Sequence, residues 1–221
     1  MAVRIQAGEE VRSGSQPLGD ELFVQLRRDI LQGRFQTGEK LTEQRICDEY
    51  NMSRTPVRDA FRQLEREGLL SSQPNRGTVV RGLTAQNRGD LYELRKLCEV
   101  FAVRLAIERA SEEGLAALGE AFEFMEFYTQ RKDPEKMLNI NMDFHRLIHE
   151  MAQSPMLYQV LQSCQAYVLE IRSENPQLDD HLATVLEEHR QIYESFLSGD
   201  AEKGAQAMSL HLTNARNRAG V

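Results

Sequence analysis

Between Ser53 and Gly68 the chain reads SRTPVRDAFRQLEREG, and no other stretch restricts its fold so strongly. Val57, Ala60, Phe61 and Leu64 recur at i, i+3, i+4 and i+7, the spacing of one inward helical stripe, while Arg54, Arg58 and Arg62 lie on another face. Ser53 is a good N-cap. Pro56 sits in the first turn, where its missing N–H has no intrahelical partner, and Gly68 supplies the C-terminal stop. Such a helix needs a core on one side and leaves an arginine row on the other.

The flanking segments supply that core. Leu22, Leu26, Ile30 and Leu31 predict a first helix of about 12 residues ending at Gly33. After the loop GRFQTGEK, Thr42 precedes a short second helix, EQRICDEY, interrupted by Asn51-Met52. After Gly68 comes LLSSQPNRGTVVRG, which reads as a two-stranded hairpin with Pro74, Asn75, Arg76 and Gly77 in its turn. Three helices closed by a hairpin describe a winged helix-turn-helix domain over residues 17–82. Residues 1–16 are polar, without apolar period, and are expected to form a mobile tail.

From Thr84 onward the helical period has no competitor. Helices are expected at 84–110, 111–131, 133–152, 155–173, 178–197 and 200–218. They are separated by Ser111, Asp133-Pro134, Ser154-Pro155, Asn175-Pro176 and Ser198-Gly199-Asp200. Loops this short make consecutive helices antiparallel neighbours, so residues 83–221 are expected to form an all-α bundle. The fold class is mainly α.

Charge divides at the same boundary. The chain of 221 residues carries a formal −7, which argues against indiscriminate coating of nucleic acid. Residues 1–82 hold 13 basic and 12 acidic side chains, net +1, whereas the remainder holds 14 and 22, net −8. Cys47, Cys98 and Cys164 are scattered through apolar helical patterns, so they read as small buried hydrophobes. With neither an 18-residue apolar run nor a signal-peptide core, the expectation is a cytoplasmic protein without a membrane partner.

In helix-turn-helix recognition the second helix of the pair enters the major groove and its N-terminal residues reach base edges. Here that end carries Ser53, Arg54, Thr55 and Arg58. Arginine can grip guanine bidentately, and hydroxyls can hold phosphate oxygens. At the wing tip, Arg76 beside Gly77 suits the minor groove or a phosphate. Arginines four apart are, alone, most often a solvated face. The complete order of elements, ending in a Gly-Arg hairpin, outweighs that reading.

The stretch GRFQTGEKLTEQRICDEYNMSRTPVRDAFRQLEREGLL, followed by NRGTVV, resembles the DNA-binding domain of GntR-family bacterial transcription regulators over about residues 18–82. The resemblance implies DNA contacts from Ser53, Arg54, Thr55 and Arg58 and from Gly77 on the wing. The family often has proline where Thr37 stands, and arginine where Gln44 stands, with Arg45 one position later. Whether Gln44 or Arg45 touches DNA is left open.

All five histidines, His145, His149, His181, His189 and His211, fall in the helical half. Asn141 and His145 share a helix face, and a short loop joins the helices of His189 and His211. Bundles build metal sites from inward side chains of several helices, and three imidazoles plus an oxygen fit Zn, Ni or a similar ion. Spacing alone favours ordinary hydrogen-bonded histidines. His145 and His149 form an H-x-x-x-H pair, but Arg146 stands where a zinc protease would need its glutamate.

LYELRKLCE, NMDFHRLIHEMA, EEHRQIYESFLSGD and MSLHL resemble the FadR C-terminal (FCD) effector domain of the FadR subfamily, and six helices resemble its VanR-like variant. The resemblance implies a divalent metal, Zn or Ni, held by Asn141, His145, His189 and His211, with asparagine where the family more often has aspartate. It also makes Arg95, one turn before Glu99, an anchor for an effector carboxylate, since guanidinium suits bidentate binding. The implied function is a homodimeric regulator bound to a pseudo-palindromic double-stranded DNA operator and modulated by a small organic acid. Two alternatives remain: a purely structural metal, or a metal-dependent enzyme with an accessory DNA-binding domain, for which Asp143 and Glu150 are the near-sequence candidate bases.

Overall fold

The computed structural model describes residues 18–73, 77–172 and 181–220. The expected tail at 1–16, the turn residues 74–76 with Arg76, and the break at Asn175-Pro176 lie outside the described residues. The chain divides into two compact units, Met1–Gly82 and Leu83–Val221.

The first unit contains α1 (Leu18–Leu31), β1 (Lys40–Leu41), α2 (Glu43–Tyr50), α3 (Arg54–Arg66), β2 (Leu70–Gln73) and β3 (Gly77–Val80). Thr42 caps α2 by accepting from the Arg45 N–H, and α2 ends at Asn51 in the left-handed conformation (φ 51°). Ser53 occupies the N-cap of α3 in extended geometry, but its hydroxyl makes no capping bond. The apolar stripe of α3 behaves as its spacing requires: Val57, Ala60, Phe61 and Leu64 are buried, and α3 packs against α1 and α2. Each such large side chain contributes about 1.5–3 kcal/mol through removal from water.

The expected two-stranded hairpin is corrected to a three-stranded antiparallel sheet of order β1-β3-β2. Lys40 and Leu41 pair with Val79 and Thr78, while Leu70 to Gln73 pair with Val80 to Gly77. Two residues are too few to show alternation, so β1 exists only because β3 offers it an edge. Gly77 opens β3 at φ +81°, a conformation that a side chain would strain.

The second unit is all-α: α4 (Ala85–Glu108), α5 (Glu112–Gln130), α6 (Pro134–Met151), α7 (Pro155–Arg172), α8 (Leu182–Ser198) and α9 (Ala201–Arg218). Local chemistry sets the boundaries. Thr84, Ser111, Asp133 and Asp200 each cap a helix by accepting a backbone N–H three residues on. The core joins Ala102, Leu118, Met125, Phe144, Ile148, Leu161, Ile192, Phe196 and Leu212. Gly204 is where α9 presses tightly on its neighbours: a Cβ there would meet Ile107 Cδ1 at 2.5 Å, Ser195 Oγ at 2.7 Å and Val103 Cγ1 at 2.8 Å. Of the cysteines only Cys164 is buried; Cys47 and Cys98 are half-buried, and all three are free thiols. Among the described residues no helix is long and apolar enough to cross a membrane.

Candidate functional site

In the first unit, the N-terminal turn of α3 and the adjoining face of α2 bring Gln44, Ser53, Arg54, Thr55 and Arg58 to exposed positions. The arginines are not loose. Arg54 Nη2 donates to Gln44 Oε1 (3.0 Å), whose amide nitrogen donates to Asp48 Oδ1 (2.9 Å). Arg58 Nε lies 2.9 Å from both carboxylate oxygens of Glu43. Arg45 differs: it is half-buried, donates to Glu49 (2.6 Å) and Glu39 (2.7 Å), and stacks over the Phe35 ring at 5.3 Å. Thus Gln44 stands with the exposed arginines, and Arg45 ties α2 to the residues before β1. Gly77 is exposed at the start of β3.

In the second unit, α6 carries Asn141, His145 and His149 inward, α8 carries Glu188 and His189, and α9 carries His211. One ring nitrogen from each of His145, His189 and His211 lies within 4.8 Å of the others. The rings are close, with centroids 4.4 Å apart for His189 and His211 and 5.4 Å for His145 and His211. Each of the three directs Nδ1 at an oxygen. His145 faces Glu99 Oε2 (3.2 Å), His189 donates to the Val185 carbonyl (2.7 Å) and His211 faces Glu188 Oε2 (2.8 Å). That arrangement places the proton on Nδ1 and the lone pair on Nε2, the tautomer required of a ligand.

Burial governs the protonation of the cluster. It lowers the His145 pKa to about 4, against the opposing pull of Glu99, and lowers that of His211 against Glu188. Burial thus favours the neutral ring of His145, while Glu99 favours the charged one. For Glu99, burial would raise the pKa, but the imidazoles of His145 and His149 hold it well below the usual carboxylate range. Asn141 Oδ1 and His145 Nε2 are buried without a hydrogen-bond partner among the described residues. Orphaned acceptors of this kind are uncommon in protein interiors and mark a place for a cation or donor. Three imidazoles with an amide oxygen fit a borderline divalent ion.

Arg95 is not the exposed i, i+4 partner that ordinary helix pairing would make it. It is 5% exposed and bonded to Glu99, itself 1% exposed, at 3.2 Å. It lines a cavity with Leu138, Asn141, Met142, Gln165, Val168 and Leu169, of about 20 Å³, roughly one water. Sequence reasoning gave no role to Glu188, whose carboxylate collects His211, Asn214 and both Nη groups of Arg218, nor to His149, whose Nε2 lies 2.9 Å from Glu99. Spacing offers no signal for Glu188, whereas His149 follows His145 by one helical turn and shares its face. Asp143 and Glu150 are both engaged by Arg146 on the outer side of α6. His181 is exposed at the start of α8.

A winged helix bearing an exposed arginine row, joined in one chain to a helical unit with a buried imidazole cluster, defines a DNA-binding regulator with a separate sensory domain. Residues 18–80 match the gntR family of bacterial regulatory proteins and residues 90–214 match the FCD domain. The chain is 30% identical over 196 residues to the HTH-type transcriptional regulator YdhC of Bacillus subtilis, covering 88% of this chain and 87% of that one. It is 26% identical over 202 residues to the HTH-type transcriptional repressor RspR of Escherichia coli, covering 90% and 87%. The solved structure of E. coli McbR/YncC superposes with a TM-score of 0.71 at 20% identity, covering 93% of this chain and 98% of that one, a likeness of fold. The protein belongs to the GntR family of DNA-binding transcription regulators and carries an FCD effector-binding domain.

Proposed function

We propose that the protein is a FadR-subfamily, VanR-like regulator in which residues 17–82 bind a pseudo-palindromic operator as half of a homodimer. Residues 83–221 hold the effector site and the dimer contacts. Ser53, Arg54, Thr55 and Arg58 contact DNA together with Arg76 and Gly77 of the wing. Of the two residues left open, Gln44 is the better contact, because it is exposed beside Arg54 while Arg45 is held by Glu39 and Glu49. An exposed apolar row on α4, Leu94, Leu97 and Phe101, supports a second copy as partner of the helical unit.

The observation that carries the effector half is the convergence of three buried imidazoles, each with Nδ1 engaged by an oxygen. His145, His189 and His211, with Asn141, would hold Zn or Ni. Once bound, the ion would supply a positive charge with open positions for a carboxylate. Arg95 would orient the acid. Its binding changes operator affinity only if the acid prefers one of two states of the protein.

A second reading, a purely structural metal, is favoured by one feature: a cavity of about 20 Å³ admits no organic acid until side chains move. Metal analysis of the purified protein, followed by operator titrations with small carboxylic acids, separates the readings. Metal with acid-dependent operator affinity is expected. Metal that raises the melting temperature while no acid alters DNA binding supports the structural role, and absence of metal overturns both.

A further inference from the structure

Glu99 sits between the two parts of the effector site. Its Oε1 accepts from Arg95 Nε at 3.2 Å, while Oε2 lies 3.2 Å from His145 Nδ1 and 2.9 Å from His149 Nε2. We propose that Glu99 is a positioning residue that couples metal affinity at His145, His189 and His211 to carboxylate binding at Arg95; this rests on the metal reading above.

A carboxylate that is 1% exposed is tolerated only when its oxygens are fully engaged, and here one guanidinium and two imidazoles engage them. Two consequences follow from the atoms involved. Oε2 requires a proton on His145 Nδ1, which turns the lone pair of Nε2 outward; that Nε2 is buried and has no hydrogen-bond partner among the described residues. Oε1 fixes Arg95 through Nε, and among the described residues no bond engages its Nη groups, which leaves both for an acid in the cavity shared with Asn141 and Gln165. An acid held by the Nη groups shares the guanidinium's charge, weakens the Nε bond to Oε1 and leaves more negative charge for Oε2 to place on His145. Stronger donation from that imidazole tightens the metal, and by linkage the metal tightens the acid.

A rival assignment for the same group is a second cation site, since ligand atoms of Glu99, His145 and His149 lie within 4.8 Å of one another. It would strip His145 of both ring protons and seat a cation beside the Arg95 guanidinium. Both demands are unfavourable in a buried site.

The test uses the full-length protein and its Glu99→Gln variant, titrated with Zn2+ against a chromophoric chelator with and without acetate. The native protein is expected to bind Zn2+ more tightly in acetate. E99Q is expected to bind Zn2+ about 10–100-fold more weakly, as for other residues that orient a metal-bound histidine, and to lose the acetate effect. The visible spectrum of bound Co2+ should move in E99Q and stay unchanged in Leu118→Val, a core change on α5, which carries none of the histidines. Unchanged Zn2+ affinity in E99Q overturns the role of Glu99 while leaving the metal reading intact. Failure of the native protein to bind Zn2+ overturns the metal reading itself and this role with it. Should E99Q not fold, nitrogen NMR of the native Zn2+ form decides: Nδ1–H on His145 is expected, and an Nε2–H tautomer overturns the proposal.

Discussion

His211 on α9 turns its Nδ1 to Glu188 on α8 at 2.8 Å, and the same carboxylate grips Arg218 bidentately, so the two closing helices are joined by a single buried anion. Its pKa is about 2, because Arg218, His211 and Asn214 outweigh the effect of burial, which alone would raise it. Glu188→Ala leaves those donors facing one another. It should destabilise the protein by about 3 kcal/mol, measured by urea denaturation, and should weaken metal binding by loosening His211. A variant with native stability would show that the three donors find other partners.

Acid should unfold the metal-free protein earlier than its carboxylates alone would require. In the unfolded chain a histidine titrates near pH 6.5, whereas folded His145 does so near pH 4, and His211 is lowered too. Both folded values lie below the unfolded one, so this contribution is intact above about pH 6.5 and is lost as pH falls toward 4. Melting temperatures of the apoprotein should fall steadily from about pH 7 to about pH 4.5, and a flat profile would refute the assignment.

Gly204 marks a packing point that cannot be filled. A methyl there would overlap Ile107, Ser195 and Val103, side chains of two different helices. Gly204→Ala gains helix propensity yet should lower stability by about 1–3 kcal/mol through overpacking. Chemical denaturation would read this directly. Stabilisation instead would mean that α9 shifts freely.

On the DNA face, Arg54→Ala or Arg58→Ala should weaken operator binding and relax base preference, by about 1–3 kcal/mol for each bidentate grip on a guanine that is removed. Arg45→Ala should instead lower the melting temperature without altering preference, because its bonds are to Glu39 and Glu49. Glu43→Gln frees Arg58 from its carboxylate and should tighten DNA binding with a steeper salt dependence. Fluorescence anisotropy at several salt concentrations distinguishes these outcomes. Equal effects of Arg45 and Arg58 on base preference would undo the division between them.

Where structure is local, the sequence was legible. Thr84, Ser111, Asp133 and Asp200 cap their helices by bonds to residues three positions away, so each boundary is written beside itself. The stripe of α3 likewise needs only its own period. Strand β1 was not legible, since its two residues take their conformation from Val79 and Thr78, far along the chain. Spacing placed Asn141 and His145 on one face, but the approach of His189 and His211 depends on how α6, α8 and α9 pack. Arg95 and Glu99 looked like an ordinary helical pair because their spacing does not encode that both are buried.

Asn141 offers an amide where the related pattern more often has a carboxylate. With three imidazoles beside it, every donor of the proposed set would be uncharged when it binds an ion. A divalent ion seated there would meet negative charge only through His145 and His211, from Glu99 and Glu188, each already shared with an arginine, until an anion joined it. On the proposed reading, retention of the ion and recognition of the acid become mutually dependent. A regulator of that kind would act as a coincidence detector, responding when acid and metal are present together and remaining indifferent to either alone.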